Sequence, residues 1–347
     1  MRIDRFLFDP AAALRTTDLL TPDQPLKPVP PVHPVRFNAA MRLGVFIGAL
    51  LVAGLVASLI IGGVYGFSVV ASTGITDPVI IATYVGRAFG SNPAMAAPVE
   101  LVGAVVAYII LTCALEKRAW PFELAWRRFG AVWKGLLLGL VAIVVCVAIL
   151  AVFGAYRIDA FNPGYNPLGD LISLGFTAAI AEEIMFRGVV FRLAEDWLGS
   201  WGAVAISSLL FGFAHLTNPD ATLLGAIGIV IEAGLLFAAV YMATRNLWVT
   251  MGLHFAWNVA EGPIAGSVVS GSSATAHSWT AATMAGPGWL TGGQFGLEAS
   301  IVPIVVLGAV AVWLLVRVQR NGGIVAPSWV RKHRLVARAD AAVPAGS

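Results

Sequence analysis

Apolar runs long enough to cross a bilayer recur along this chain and leave little choice in what it can fold into. A helix needs roughly 20 apolar residues to traverse a hydrocarbon core ~30 Å thick. Runs of this kind cover residues 43–67, 95–115, 135–153, 168–191, 201–216, 221–243, 247–260 and 300–318, those at 201–216 and 247–260 being short. In lipid, backbone polar groups must be satisfied within the segment, so such runs become helices. Composition agrees: 58% of the 347 residues are hydrophobic and 12% charged, against about 25% charged in an average soluble protein. A soluble globular enzyme cannot cover itself with so few charges, and a disordered chain needs low hydrophobicity and high charge. The expected fold is an all-α polytopic membrane bundle of about eight transmembrane helices.

The basic residues orient it. With a cytoplasmic N-terminus, 20 of the 22 Lys and Arg fall on inside segments or the helix ends that lead into them, 19 if Arg187 within the fourth run is discounted, with Arg87 and Arg157 excepted, as the positive-inside rule demands. Both termini are therefore expected in the cytoplasm, and the location is expected to be a bacterial cytoplasmic membrane. The net charge of +3 reflects these loops. No basic stretch is interleaved with aromatics, so nucleic acid is not an expected partner; the lipid bilayer is. Residues 1–42, with Pro28, Pro30, Pro31 and Pro34 close together, read as a flexible cytoplasmic arm and not as a signal peptide, whose apolar part lies near the start. Residues 43–164 hold three accessory helices, 165–262 a polar-bearing core, and 300–347 the last helix with a basic cytoplasmic tail. Residues 263–299 lack Lys and Arg and are rich in Gly, Ser, Thr and Ala, which reads as a flexible outer loop. Residues 79–89 read as a re-entrant or interfacial segment. Cys113 and Cys146 lie in apolar runs and are expected as buried thiols.

An ionisable group inside a membrane helix costs several kcal/mol unless paired, which makes each a functional candidate. They cluster: Glu182, Glu183 and Arg187 in the fourth run, His215 ending the fifth, Glu232 in the sixth, and His254 with Asn258 in the seventh. The other runs carry almost none. Glu183 and Arg187 are four residues apart with the acid first, the favourable order for an ion pair on one helical face. Glu182 lies about 100° round the helix and points elsewhere. Phe211 and His215 are also four apart, as are His254 and Asn258.

The set suits hydrolysis. A carboxylate beside an imidazole can take a proton from water and pass it to a leaving amine, while a second imidazole and a carboxamide can stabilise an oxyanion. Two His and one Glu could equally hold a divalent metal such as zinc, through Glu182, His215 and His254. A Glu–Arg pair can also be purely structural, and a single His can simply bond a carbonyl; three such elements in adjacent runs weigh against coincidence. Glu232 has no spaced partner and reads as structural or gating. His33, His277 and His333 lie in soluble segments and read as ordinary.

Glu182-Glu183-Ile184-Met185-Phe186-Arg187 matches E-E-x-x-x-R, Phe211-Gly212-Phe213-Ala214-His215 matches F-x-x-x-H, and His254-Phe255-Ala256-Trp257-Asn258 matches H-x-x-x-N. In this order and spacing, over residues 165 to 262, the chain resembles the CAAX-protease and bacteriocin-processing family of intramembrane proteases, related to the type II CAAX prenyl endopeptidase. The resemblance implies that Glu182 and His215 activate water, that His254 and Asn258 hold the oxyanion, and that Glu183, Arg187 and Phe211 support the site. The implied substrate is a membrane-associated protein or peptide, prenylated or bacteriocin-like. The family is described both as metal-dependent and as glutamate-dependent; the absence of H-E-x-x-H favours glutamate with no cofactor. The rival readings are an ion- or proton-coupled transporter, disfavoured by the lack of an internal repeat, and a non-catalytic immunity or partner protein. One geometric tension stands: this topology puts His215 near the outer end of its helix and His254 about 10 Å in from the cytoplasmic side, at 1.5 Å per residue.

Overall fold

The computed structural model describes residues 38–91, 93–118, 121–272, 278–331 and 333. Residues 1–37 of the expected N-terminal arm, most of the basic tail and His277 lie outside the described residues, whereas residues 39–42, expected in the arm, open the first helix. Among those described, six helical segments are long and apolar enough to cross a membrane: Ala39–Thr73, Met95–Leu115, Trp126–Val152, Leu168–Thr217, Leu223–Thr244 and Ile301–Arg320.

The first helix, α1 (Ala39–Thr73), starts where the Asn38 side chain accepts the Met41 N–H at 2.8 Å, an N-cap that satisfies one orphan donor. It ends at Gly74, whose φ of +73° is the left-handed conformation glycine adopts freely. Leu51, Leu55, Leu59 and Phe67 are exposed along it, as expected of a lipid-facing helix. α1 packs on α3 (Pro93–Ile109) and on α2 (Pro78–Ser91). Residues 79–89 thus belong to a regular helix of 14 residues, short of a crossing length.

α4 (Val132–Val152) and α8 (Leu247–Val259) form the closest helix pair. A Cβ at Gly135 would lie 1.9 Å from the Val249 carbonyl oxygen, and one at Gly139 2.2 Å from that of Leu253. The spacing is the small-xxx-small pattern through which membrane helices bring their backbones together. α8 is nearly all buried, Leu247, Leu253 and Trp257 included, and also contacts α5 (residues 168–191) and α7 (Leu223–Thr244). It is the central helix. α10 (Ile301–Arg320) closes the bundle against α7.

The expected count of eight differs from six in two places. The runs at 168–191 and 201–216 form one helical stretch of 50 residues with a corner at Gly199, where φ is +75° inside α6 (Arg192–Ala214). A Cβ there would lie 2.6 Å from the Val325 carbonyl oxygen, so the corner is both turned and packed by lacking a side chain. The corner falls in the gap between the two expected runs. α8, the expected seventh span, has 13 residues and is followed by a wider turn at Ala260–Ile264.

The segment read as a flexible outer loop is corrected. Residues Thr280–Met284 form β2, paired antiparallel with β1 (Tyr156–Phe161) in a ribbon running from Tyr156↔Met284 to Phe161↔Thr280. α9 (Gly288–Thr291) follows, and Phe295 and Leu297 are fully buried. A few large apolar residues outweigh the small polar ones around them: Phe295 packs against Gly225 and Gly271. The fold is thus mostly helical, with one small ribbon.

At the basic end, side chains tie the helices together. Arg42 binds Glu116 at 3.1 Å and Asp196 at 2.9 Å, and Arg192 also binds Glu116 at 2.9 Å. Arg128 donates to the Thr244 and Arg245 carbonyls at 2.7 and 2.6 Å, satisfying two orphan acceptors at the end of α7. Burial would raise the Glu123 carboxyl, but its two bonds from Arg118, at 2.8 and 2.7 Å, outweigh this and hold it at about 2.

Candidate active site

The elements around α8 share an unusual local geometry. Wide π turns occur at Leu171–Thr177 and Ile184–Phe191 in α5, at Val230–Leu235 in α7, and at Ala260–Ile264 after α8. A π turn moves the hydrogen bond from i+4 to i+5 and is frequent at functional sites. Here the carbonyls of such turns accept side-chain donors. Asn258 donates Nδ2 to the Leu174 oxygen at 2.8 Å, and Arg187 donates Nη2 to the Ala233 and Gly234 oxygens at 3.3 Å each.

Glu183 and Arg187 form the expected pair. Arg187 Nη1 lies 2.8 Å from Glu183 Oε1, and both side chains are fully buried. The guanidinium stacks over the Phe211 ring, 4.4 Å from its centroid, and is 5.1 Å from that of Phe237, contacts that favour a cation in an apolar setting. His254 Nδ1 reaches the same Glu183 oxygen at 3.3 Å. Phe211 stands between the two imidazoles, its ring centroid 5.0 Å from that of His215 and 6.0 Å from that of His254.

Hydrogen-bond accounting assigns the ring nitrogens. His215 Nδ1 lies 2.8 Å from the Phe211 carbonyl oxygen. A carbonyl only accepts, so Nδ1 carries the proton and Nε2 keeps its lone pair in the neutral ring. His254 Nδ1 donates to the Glu183 carboxylate by the same logic, and its Nε2 becomes a donor only in the imidazolium.

Glu182, His215, His254 and Asn258 line one cavity of about 520 Å³. The side chains whose expected depths differ thus meet at one space. Glu182 Oε2 is buried and makes no hydrogen bond among the described residues. Glu183, Arg187 and Phe211 lie behind the wall, among the residues that hold it in place. His33 lies outside the described residues and His333 is exposed.

Three acids went unnoticed as site residues in the sequence. Glu100 of α3 lines the cavity, although the second run reads as almost free of charge; a single carboxylate in an apolar span was the available signal. Glu261 and Glu298 lie deeper with Glu232, all buried. Both Glu232 oxygens lack a partner among the described residues. Glu298 accepts from Trp257 Nε1 at 3.2 Å and, with His215, His254 and Asn258, lines a void of about 10 Å³, the size of one water. Burial pushes the Glu298 carboxyl above its usual range, an effect opposed by nearby His215. Its position in a loop gave no helical spacing to find it by.

The donor set does not fit a metal as it stands. Among the described residues, no three His, Cys, Asp or Glu side chains are grouped closely enough to hold one ion.

Residues 164–260 match the family model described as type II CAAX prenyl endopeptidase Rce1-like. No curated protein and no solved structure matches the chain. The matched segment carries all three motifs and every side chain first expected at the site. Over residues 164–260, under a third of its length, the chain is thus similar to the Rce1-like type II CAAX prenyl endopeptidases.

Proposed function

We propose that this chain is an intramembrane endopeptidase that hydrolyses a peptide bond in a membrane-associated protein or peptide. The observation that carries the reading is the convergence of Glu182, His215, His254 and Asn258 on one cavity. In this reading both termini are cytoplasmic and eight helices cross the membrane, with the two limbs of the stretch bent at Gly199 and α8 each counted as a span.

The chemistry follows from the side chains. A water in the cavity gives a proton to the Glu182 carboxylate that lines it, while His215 Nε2 offers a second basic position. The hydroxide so formed attacks the scissile carbonyl. Asn258 uses one Nδ2 hydrogen on Leu174 and keeps the other for the oxyanion. His254 adds a donor through Nε2 when protonated, its Nδ1 being held by Glu183. The proton held by Glu182 then passes to the departing amine, which completes general acid–base catalysis. Glu183, Arg187 and Phe211 position these groups.

The test is cleavage in detergent by Glu182→Ala and His215→Ala, each checked for an unchanged melting temperature. Loss of cleavage in both is expected. Full activity in both folded variants would overturn the proposal.

A further inference from the structure

Glu298 enters the bundle from outside the segment that the family model matches, in a short turn at Leu297–Ala299. Its backbone is clamped. A Cβ at Gly228 of α7 would lie 2.3 Å from the Glu298 carbonyl oxygen, and the Leu297 N–H donates to Ser267 Oγ at 3.0 Å. The side chain is held as well: Oε1 accepts from Trp257 Nε1 at 3.2 Å. In sequence, Trp257 stands between His254 and Asn258 on α8.

That bond uses one carboxyl oxygen. The other, Oε2, is buried and makes no hydrogen bond among the described residues. A buried acceptor left unsatisfied is costly, and an ordered water is the usual remedy where space and further polar groups allow it. Both conditions are met. Glu298 borders the small void with His215, His254, Asn258 and Ser270, and the volume of about 10 Å³ gives room for one water. Glu232 and Glu261 also carry oxygens without a partner among the described residues, but neither is among the described residues that line the void.

Hydrogen accounting narrows what such a water bonds. Asn258 gives one Nδ2 hydrogen to Leu174 at 2.8 Å, and its Oδ1 is an acceptor. His254 Nδ1 is engaged by Glu183, and His215 Nδ1 by the Phe211 carbonyl. A water that gives one hydrogen to Glu298 Oε2 and the other to Asn258 Oδ1 satisfies both acceptors. It leaves the second Nδ2 hydrogen and both imidazole Nε2 positions to the reaction.

We infer that this void is a binding site for one water that bridges Glu298 Oε2 and Asn258 Oδ1, and that Glu298 is a positioning residue that locks the Asn258 carboxamide for the oxyanion. The inference rests on the endopeptidase reading and adds to its machinery a residue from the segment 262–299. An amide tethered at Nδ2 alone swings about that tether. Tethered at both ends, it presents its free hydrogen in one direction before the substrate arrives, which is what makes an oxyanion donor effective.

The experiment uses the full-length protein in detergent and a library of internally quenched peptides, from which one that the wild type cleaves is taken. Values of kcat and KM are measured for Glu298→Leu, Glu298→Gln, Trp257→Phe, Asn258→Ala and the double variant Glu298→Leu with Asn258→Ala, with melting temperatures showing that each folds. Glu298→Leu should lower kcat about 10- to 100-fold, the worth of one hydrogen bond to a charged group, with KM near wild type. Glu298→Gln, which can still bond both Trp257 and the water, should stay close to wild type. Trp257→Phe, which removes only the direct bond, should keep most of kcat. The double variant should be no slower than Asn258→Ala alone, because both changes act through one amide. Additive losses in the double variant, or a loss in Trp257→Phe as large as in Glu298→Leu, overturn the inference. Independently of whether Glu298→Leu folds, a wild-type crystal structure that resolves ordered water should place one water within hydrogen-bond distance of Glu298 and Asn258. No water there also overturns it. That water in place, with no cleavage of any peptide, sinks the endopeptidase reading and leaves the water site standing.

Discussion

His254 donates from Nδ1 to Glu183 Oε1 at 3.3 Å, the same oxygen that Arg187 holds at 2.8 Å. One carboxylate thus fixes a ring on α8 and a guanidinium on α5. Replacing it separates two roles. Glu183→Gln keeps an accepting oxygen for both partners, so the fold should survive while kcat falls and KM stays near wild type. Glu183→Ala strands a buried guanidinium and should lower stability by about 3–5 kcal/mol. Melting curves and steady-state kinetics on both variants check this; a fully active Glu183→Ala protein would contradict it.

Asn258 is held by its bond to Leu174 and offers its second amide hydrogen to the cavity. Asn258→Ala should lower kcat by about 10²- to 10³-fold, the usual cost of one oxyanion donor, with little change in KM. Asn258→Asp should be at least as damaging, since it places a negative charge beside the forming oxyanion. Single-turnover rates on one peptide suffice to measure both.

The packing of α8 on α4 predicts a contrast between two glycines. Gly139→Ala puts a Cβ on the Leu253 carbonyl oxygen, one residue before His254. It should cost about 1–3 kcal/mol through overpacking and lower activity with it. Gly63→Ala on α1 meets nothing within 4 Å and should be neutral or slightly stabilising. Equal effects from the two would argue against the close helix contact.

Glu123 has its carboxyl lowered to about 2 by Arg118 against the opposing effect of burial. A depressed folded-state value stabilises at pH above the unfolded value, near 4.5, and that stability is lost as pH falls toward 2. The melting temperature in detergent should therefore drop between pH 5 and pH 3, and Glu123→Gln should be less stable at pH 7 while showing a shallower drop. A steeper acid transition in the variant would count against this.

Because the proposed chemistry uses side chains alone, cleavage should persist after dialysis against excess chelator. Activity lost on chelation and restored by zinc would instead assign Glu182, His215 and His254 as ligands.

The sequence made the membrane segments readable because a missing charge is a strong signal over 20 residues, and the motif residues readable because helical spacing repeats every three or four. It could not show that Leu174, Ala233 and Gly234 offer their carbonyls to Asn258 and Arg187, since a π turn has no distinct residue signature. Glu298 escaped for another reason: it enters the site from a loop, where spacing carries no geometric meaning. The stretch around it looked mobile because glycine and serine dominate its composition, yet Phe295 and Leu297 bury themselves and pull it into the bundle. Gly135 and Gly139 were visible as a four-residue repeat, but the partner helix they admit is fixed only in three dimensions.

The π turns in α5 give that helix a phase as well as a path. Each wide turn takes in one residue that an α-helix would not need, and removing it would rotate everything beyond by about 100°. In the wide turn Ile184–Phe191, just after Glu183, a one-residue deletion would leave a continuous helix of nearly the same length and apolarity. It would still insert and still pack. Its two halves, however, would face different neighbours, like a shaft re-keyed by one tooth.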